Sequence, residues 1–321
     1  LNLQTKIPVQ KQPNYLIDYN SKIILLGSCF SENIGKKLDY FKFQNIQNPF
    51  GVLFHPKAIE TLLSRAINEK RYFENDVFFH SELWHCFDAH SGLSDMSKDK
   101  LVSNLNSELK NLRKSIVNTT HVIITLGTAW VYRFLESDKI VANCHKVPQK
   151  EFKKELLSVE DVCQSLENIT SLLKRINSKA TIIFTLSPVR HLKDGFIENT
   201  QSKSHLVAGI HQFLNEQSST NHQQSFYFPS YETMMDELRD YRFYAEDMIH
   251  PNPTAINYIW EQFRSVWISE ESFQIMEKVD TVQKGLQHKP FNPNSKAHKK
   301  FLRKLEVQKE SISKRSPHIR F

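Results

Sequence analysis

Three strand-length runs contain no charged residue: I-I-L-L-G at 23–27, V-I-I-T-L at 122–126 and T-I-I-F-T-L at 181–186. A strand with one wet face alternates apolar and polar residues, so unbroken apolar runs belong to strands covered on both faces, as in a parallel sheet between two helix layers. Shorter runs at Phe43–Ile46 and Ser225–Phe228 complete a set of five. Helical periodicity at Pro56–Asn68, Lys100–Val117, Ser158–Ile176, Gln201–Asn215 and Pro253–Trp267 alternates with them. That order predicts βαβ units and a three-layer α/β/α sandwich with a mostly parallel sheet. Segments 70–99 and 133–157 follow neither period and read as long irregular connections, of the kind that carry binding residues.

At 321 residues and 40% hydrophobic composition, the chain is long enough for one sizeable domain with an appendage. We place the domain at 1–270 and a basic, helical or partly disordered extension at 271–321. The formal charge of +7 is unevenly placed. From Lys284 to Phe321 eleven Lys and Arg face only Glu306 and Glu310, which leaves the preceding residues close to neutral. The basicity therefore belongs to the extension, and without an RRM-like or helix-turn-helix signature it argues against a nucleic-acid partner. No apolar run is long enough for a membrane span, and the first twenty residues lack the apolar core of a signal peptide. The chain reads as cytoplasmic. Cys29, Cys86, Cys144 and Cys163 are scattered, as expected of reduced thiols. Oligomeric state is not legible.

Two motifs carry chemistry. Gly27 ends the first apolar run and is followed at once by Ser28 and Cys29, two nucleophiles at a strand-to-helix turn. Ser31-Glu32-Asn33, then Ile34 and Leu38, predict the capped start of the next helix. At the carboxyl edge of a parallel sheet such a turn opens where ligands bind, and the helix N-terminus favours a thiolate or an oxyanion. The second motif is D-M-I-H-P-N-P at 247–253. Asn252 and Pro253 suit the N-cap and first position of the last core helix, which places Asp247 and His250 on the loop that enters it. A histidine base needs one nitrogen toward the nucleophile and the other fixed by a carboxylate, and Asp-x-x-His supplies the pair. Alone, the motif is a common turn cap. Arg190 and His191 follow the fourth apolar run and are candidates for holding a substrate anion. His80, His85, Cys86, Asp88 and His90 match no regular zinc spacing, so no metal is expected. The absence of a G-x-G-x-x-G or P-loop pattern after the first run argues against dinucleotide or NTP cofactors.

G-S-C-F-S at 27–31, N-P-F-G at 48–51, L-G-T-A-W at 126–130, N-C-H-K at 143–146, S-P-V-R-H-L-K-D-G at 187–195 and F-P-S-Y-E-T-M-M-D-E-L-R-D-Y-R-F-Y at 228–244 together resemble the GSCFA-domain family, a bacterial group similar to SGNH/GDSL hydrolases. The resemblance covers about residues 1–270 and leaves the basic extension outside. It implies an SGNH-hydrolase-like fold and a cofactor-free esterase or acyltransferase acting on an ester-linked acyl group, with acetyl as the expected group, of a small molecule or carbohydrate. Ungapped matching puts Cys29 at the nucleophile position, with Ser28 as its rival, His250 as base and Asp247 as its orienting acid. The third block departs from the clan: Ala129 stands where an asparagine would donate to the oxyanion. The Cys29 N–H and a glycine N–H at Gly51 are then the expected donors, with Thr128, Asn48 or Asn143 as substitutes and Gly127, His145, Arg190 and His191 lining the substrate. The alternative is a catalytically weak sugar- or polymer-binding protein of the same fold.

Overall fold

The computed structural model describes residues 5–218 and 224–321. Its strands are β1 (Lys22–Gly27), β2 (Gln44–Gln47), β3 (Phe78–His80), β4 (Leu83–His85), β5 (His121–Leu126), β6 (Trp130–Phe134), β7 (Lys139–Val141), β8 (Phe152–Leu156), β9 (Thr181–Leu186) and β10 (Ser225–Phe228). Its α-helices are α1 (Cys29–Tyr40), α2 (Pro56–Ile67), α3 (Lys98–Asn118), α4 (Val159–Ile176), α5 (Phe196–Ser218), α6 (Ser230–Glu232), α7 (Pro253–Trp267), α8 (Glu270–Gln287) and α9 (Lys296–Arg315).

The five apolar runs form one all-parallel sheet in the order β2-β1-β5-β9-β10. Because side chains alternate across a strand, each central strand serves two cores. Ile24, Leu26, Val122, Ile124, Ile182 and Phe184 meet α2, α3, α4 and α5 through Leu62, Leu105, Leu166 and Leu206. Ile23, Leu25, Ile123 and Ile183 meet α1, α7 and α8 through Ile34, Ile259, Phe263 and Val279. Each fully buried Leu or Ile contributes roughly 1.5–3 kcal/mol to this packing. The chain moves outward from β1 to β2 and then back across β1 to β5, which makes the carboxyl edge beside β1 the switch point where open α/β sheets bind ligands.

The connections are more regular than the sequence suggested. Segment 70–99 contains the β3–β4 hairpin, and segment 133–157 contains most of a three-stranded antiparallel sheet, β7-β6-β8. Three-residue strands are too short to show a period. In F-K-K-E-L the alternation is masked because Lys153 and Glu155 pair on the surface, the latter also with Arg133 at 3.0 Å. The extension is ordered as α8 and α9. Ile275, Met276, Val279, Val282, Ile312 and Ile319 join the same core as Phe30 and Trp267, and its lysines line the outer face. No helix among the described residues is long and apolar enough to cross a membrane.

Candidate active site

The helix after β1 begins earlier than expected. Ser28 is the N-cap of α1, its Oγ accepting from the Phe30 N–H at 3.4 Å, so Cys29 occupies the first helical position. Ser31 lies inside the first turn and donates to the Leu26 carbonyl at 3.1 Å. Gly27 makes the turn possible: its φ is +129°, and a Cβ there would sit 2.1 Å from the Thr125 carbonyl oxygen. The two nucleophiles separate by burial. Ser28 is 0% exposed and its hydroxyl caps the helix, whereas Cys29 is half-buried. Burial and Glu32 raise the Cys29 thiol above its ordinary value, while Lys203 and the N–H groups of Cys29 and Phe30 oppose them.

Lys203 escaped the sequence analysis. It projects from α5, is 2% exposed, and donates from Nζ to the Ser187 carbonyl at 2.8 Å. Burial, with Arg190 adding to it, pushes Lys203 down to about 7, while Cys29 acts in the opposite direction. No carboxylate pairs with it among the described residues. The signal was available: Lys203 lies three, seven and ten residues before Leu206, Ile210 and Phe213, all on the buried face of the helix. A lysine in that stripe is among the rarest of buried residues.

Arg190 and His191, after β9, lie beside it. The Arg190 guanidinium donates to Met235 Sδ at 2.9 Å and makes no ion pair among the described residues. Met235 comes from the π-helical turn Thr233–Glu237 that continues α6. Burial, then Lys203 and His250, push His191 down to about 3. Its Nε2 is buried without a hydrogen-bond partner among the described residues, and its ring meets Phe54 edge-on at 4.9 Å.

The D-x-x-H loop has the geometry that its spacing predicts. Asp247 Oδ1 accepts from the N–H groups of Ile249 and His250 at 2.9 Å each, and Oδ2 meets His250 Nδ1 at 2.6 Å. These contacts hold the Asp247 carboxyl down to about 2. With Nδ1–H donating to Asp247, the Nε2 lone pair is left outward, as a base requires. Met248 turns the loop at φ +57°, and Asn252 caps α7 by accepting from the Ala255 N–H. Both side chains are about half exposed, at 49% for His250 and 47% for Asp247.

Most expected oxyanion donors are engaged elsewhere. Gly51 donates its N–H to the Asn48 carbonyl at 2.7 Å, so it does not aim that group at a substrate. The N–H groups of Gly127 and Thr128 both reach the Phe54 carbonyl, and the Thr128 hydroxyl pairs with Ser202 at 3.0 Å. Asn143 Oδ1 accepts from the His145 N–H, closing a tight turn. His145 bonds the Cys86 carbonyl and packs against His85, Phe78 and Phe87. Ala129 is fully buried and its N–H donates to Ser202 Oγ, which closes the position where the clan places its asparagine. Asn48 differs. Its Oδ1 accepts from the Gly27 N–H at 2.9 Å, and its Nδ2 is buried with no partner among the described residues. A buried, unmatched donor strapped to the turn before Cys29 calls for a functional explanation.

In the His-rich segment both nitrogens of His85 are occupied, by Ser94 Oγ and the His80 carbonyl. His90 accepts from the Gly92 N–H and packs against Gly51. Among the described residues Cys163, Glu167 and Glu216 each bring a potential metal-ligand atom within 4.8 Å of the others, on α4 and α5. Asp88 pairs with Arg65 at 2.9 Å.

A search of the curated proteins found no match. The model of the GSCFA family matches residues 22–263, a span holding the parallel sheet, the Ser28–Cys29 turn and the Asp247–His250 loop. The model described as the C-terminal domain of GSCFA domain proteins matches residues 279–321, so the basic extension, which the motif resemblance left outside, is part of the family's own architecture. The chain belongs to the GSCFA family.

Proposed function

We propose that this protein is an acyl-transfer enzyme of SGNH-hydrolase-like design that cleaves or transfers an ester-linked acyl group, with acetylated carbohydrates as the first substrate class to examine. One observation carries the reading. The accessible nucleophile of the elbow, Cys29, lies near a buried lysine that has no carboxylate partner among the described residues. The same sheet edge holds a histidine whose Nδ1 is fixed by Asp247. A thiolate formed at Cys29 during the reaction is stabilised by such a lysine.

In this mechanism His250 Nε2 takes the Cys29 proton, and the sulfur adds to the ester carbonyl. The Cys29 N–H, which has no carbonyl to bond inside its helix, and Asn48 Nδ2 donate to the oxyanion. Collapse releases the alcohol, which receives the proton from His250 and leaves an acyl thioester on Cys29. Water, or an acceptor hydroxyl in transfer, then gives its proton to His250 and attacks the thioester. The expelled thiolate recovers that proton.

The test is turnover of short-chain aryl esters and acetylated sugars by wild type, Cys29→Ala, Ser28→Ala and His250→Ala. Loss in Cys29→Ala and His250→Ala with retention in Ser28→Ala is expected. Wild-type turnover no higher than that of His250→Ala would overturn the reading. It would favour instead a sugar- or polymer-binding protein, for which the closed position at Ala129 speaks.

A further inference from the structure

Two basic side chains lie near each other at this edge, and no carboxylate pairs with either among the described residues. Arg190 is near enough to Lys203 for its charge to oppose protonation of the amine, yet neither makes an ion pair among the described residues. Lys203 uses one of its three donors, on the Ser187 carbonyl. Arg190 donates to a thioether, a weak acceptor that leaves the planar fork unmatched. His191 adds a buried nitrogen with no hydrogen-bond partner among the described residues. The Tyr231 ring lies 5.6 Å from Lys203 Nζ, and the Arg190 charge also lowers the Tyr231 hydroxyl against the burial that raises it. Adjacent, desolvated basic groups disfavour each other's charged forms, and an anion seated against both relieves that repulsion.

We infer that Arg190 and Lys203, with His191 and Tyr231 around them, form an anion subsite beside Cys29, so that the molecule carrying or receiving the acyl group bears a carboxylate or phosphate. The inference rests on the proposed chemistry for its biological meaning, but the subsite itself does not require turnover. Arginine supplies the two parallel donors that match either oxyanion, and Lys203 supplies a point charge near the thiol. Glu32, the carboxylate that faces Cys29 from α1, opposes an anion at the thiol itself and thereby favours its seating toward Arg190. The subsite gives specificity that the fold alone does not: neutral acyl esters would be poor substrates beside acidic ones.

Alkylation at Cys29 by anionic iodoacetate and neutral iodoacetamide, followed by peptide mapping, reads the subsite without any substrate. The half-buried Cys144 serves as the internal reference. The iodoacetate-to-iodoacetamide rate ratio at Cys29 should exceed that at Cys144 by on the order of tenfold, the scale of one charge-assisted bidentate contact. Inorganic phosphate should suppress the excess, and Arg190→Gln should bring the iodoacetate-to-iodoacetamide ratio at Cys29 down to that at Cys144. In parallel, thermal unfolding with phosphate and with succinate should show a stabilising shift in wild type that is smaller in Arg190→Gln. A larger shift with one of the two assigns the subsite to phosphate or to carboxylate. Equal ratios at Cys29 and Cys144, or no wild-type shift with either anion, would overturn the inference. If the anion results hold while no ester is turned over, the proposed chemistry fails and the subsite stands.

Discussion

Replacing Lys203 with methionine should make the protein more stable and less reactive. The linear side chains are similar in length, so the buried channel through α5 stays filled. Lys203 falls from its ordinary 10.5 to about 7 on folding, chiefly through burial. The unfolded chain therefore binds the proton more tightly, and wild-type stability rises with pH between these two values. Below about pH 7 the full difference of some three and a half units opposes folding, roughly 5 kcal/mol. Methionine removes that penalty but leaves the Ser187 carbonyl without its donor, which returns about 1–3 kcal/mol. The variant should gain about 2–4 kcal/mol near pH 6, and the gain should approach zero by about pH 9, where most of the wild-type penalty has gone. Urea unfolding at the two pH values measures it. Iodoacetamide modification of Cys29 should slow in the same variant, because the positive charge beside the sulfur is lost. A variant less stable than wild type near pH 6, or one that keeps the wild-type slope of stability with pH, would refute the argument that Lys203 is an uncompensated buried amine.

Three further outcomes follow from the geometry. Gly27→Ala should lose about 1–3 kcal/mol to backbone strain, and more because the new Cβ meets the fixed Thr125 carbonyl; urea unfolding and the solubility of the variant report it. Asn48→Asp keeps an acceptor for the Gly27 N–H but lacks the free donor, so turnover should fall ~10²–10³-fold with a far smaller change in melting temperature; a drop in stability without loss of turnover would assign Asn48 to structure alone. Asp247→Asn should cut turnover on the order of 10²–10⁴-fold by releasing the His250 tautomer. Because the folded carboxyl is held low at about 2, the Asp247 contacts are complete above the usual carboxylate range and are lost as pH falls toward that value. The loss in the variant should thus be largest near neutrality, read from its pH–rate profile.

What the sequence made legible follows from periodicity. Runs such as V-I-I-T-L and T-I-I-F-T-L must be covered on both faces, and the strands they predict are β5 and β9 at the sheet centre. Asn252-Pro253 announced the start of α7 because capping and the fixed φ of proline act within a few residues. The start of α1 was placed at Ser31 because Ser31-Glu32-Asn33 also fits a cap; the tertiary bond from the Ser28 N–H to the Thr125 carbonyl decides for Ser28. The pairings that engage Gly127 and Thr128 join segments far apart in sequence, and no local pattern encodes them, whereas Gly51 closes a local turn onto the Asn48 carbonyl. Lys203 was readable as a charge in the apolar stripe of α5. Its neighbours, Cys29 and Arg190, became visible only once β1 and β9 were aligned in one sheet.

The central claim is that the elbow acts through Cys29 sulfur. Acid quenching during turnover of an aryl acetate, followed by peptide mass mapping, tests it most directly. The account predicts an acetyl mass on the peptide carrying Cys29, present in Ser28→Ala, absent in Cys29→Ala, and removed by neutral hydroxylamine as a thioester is. Undiminished turnover in Cys29→Ala, or an acetyl group mapped to Ser28, would contradict it.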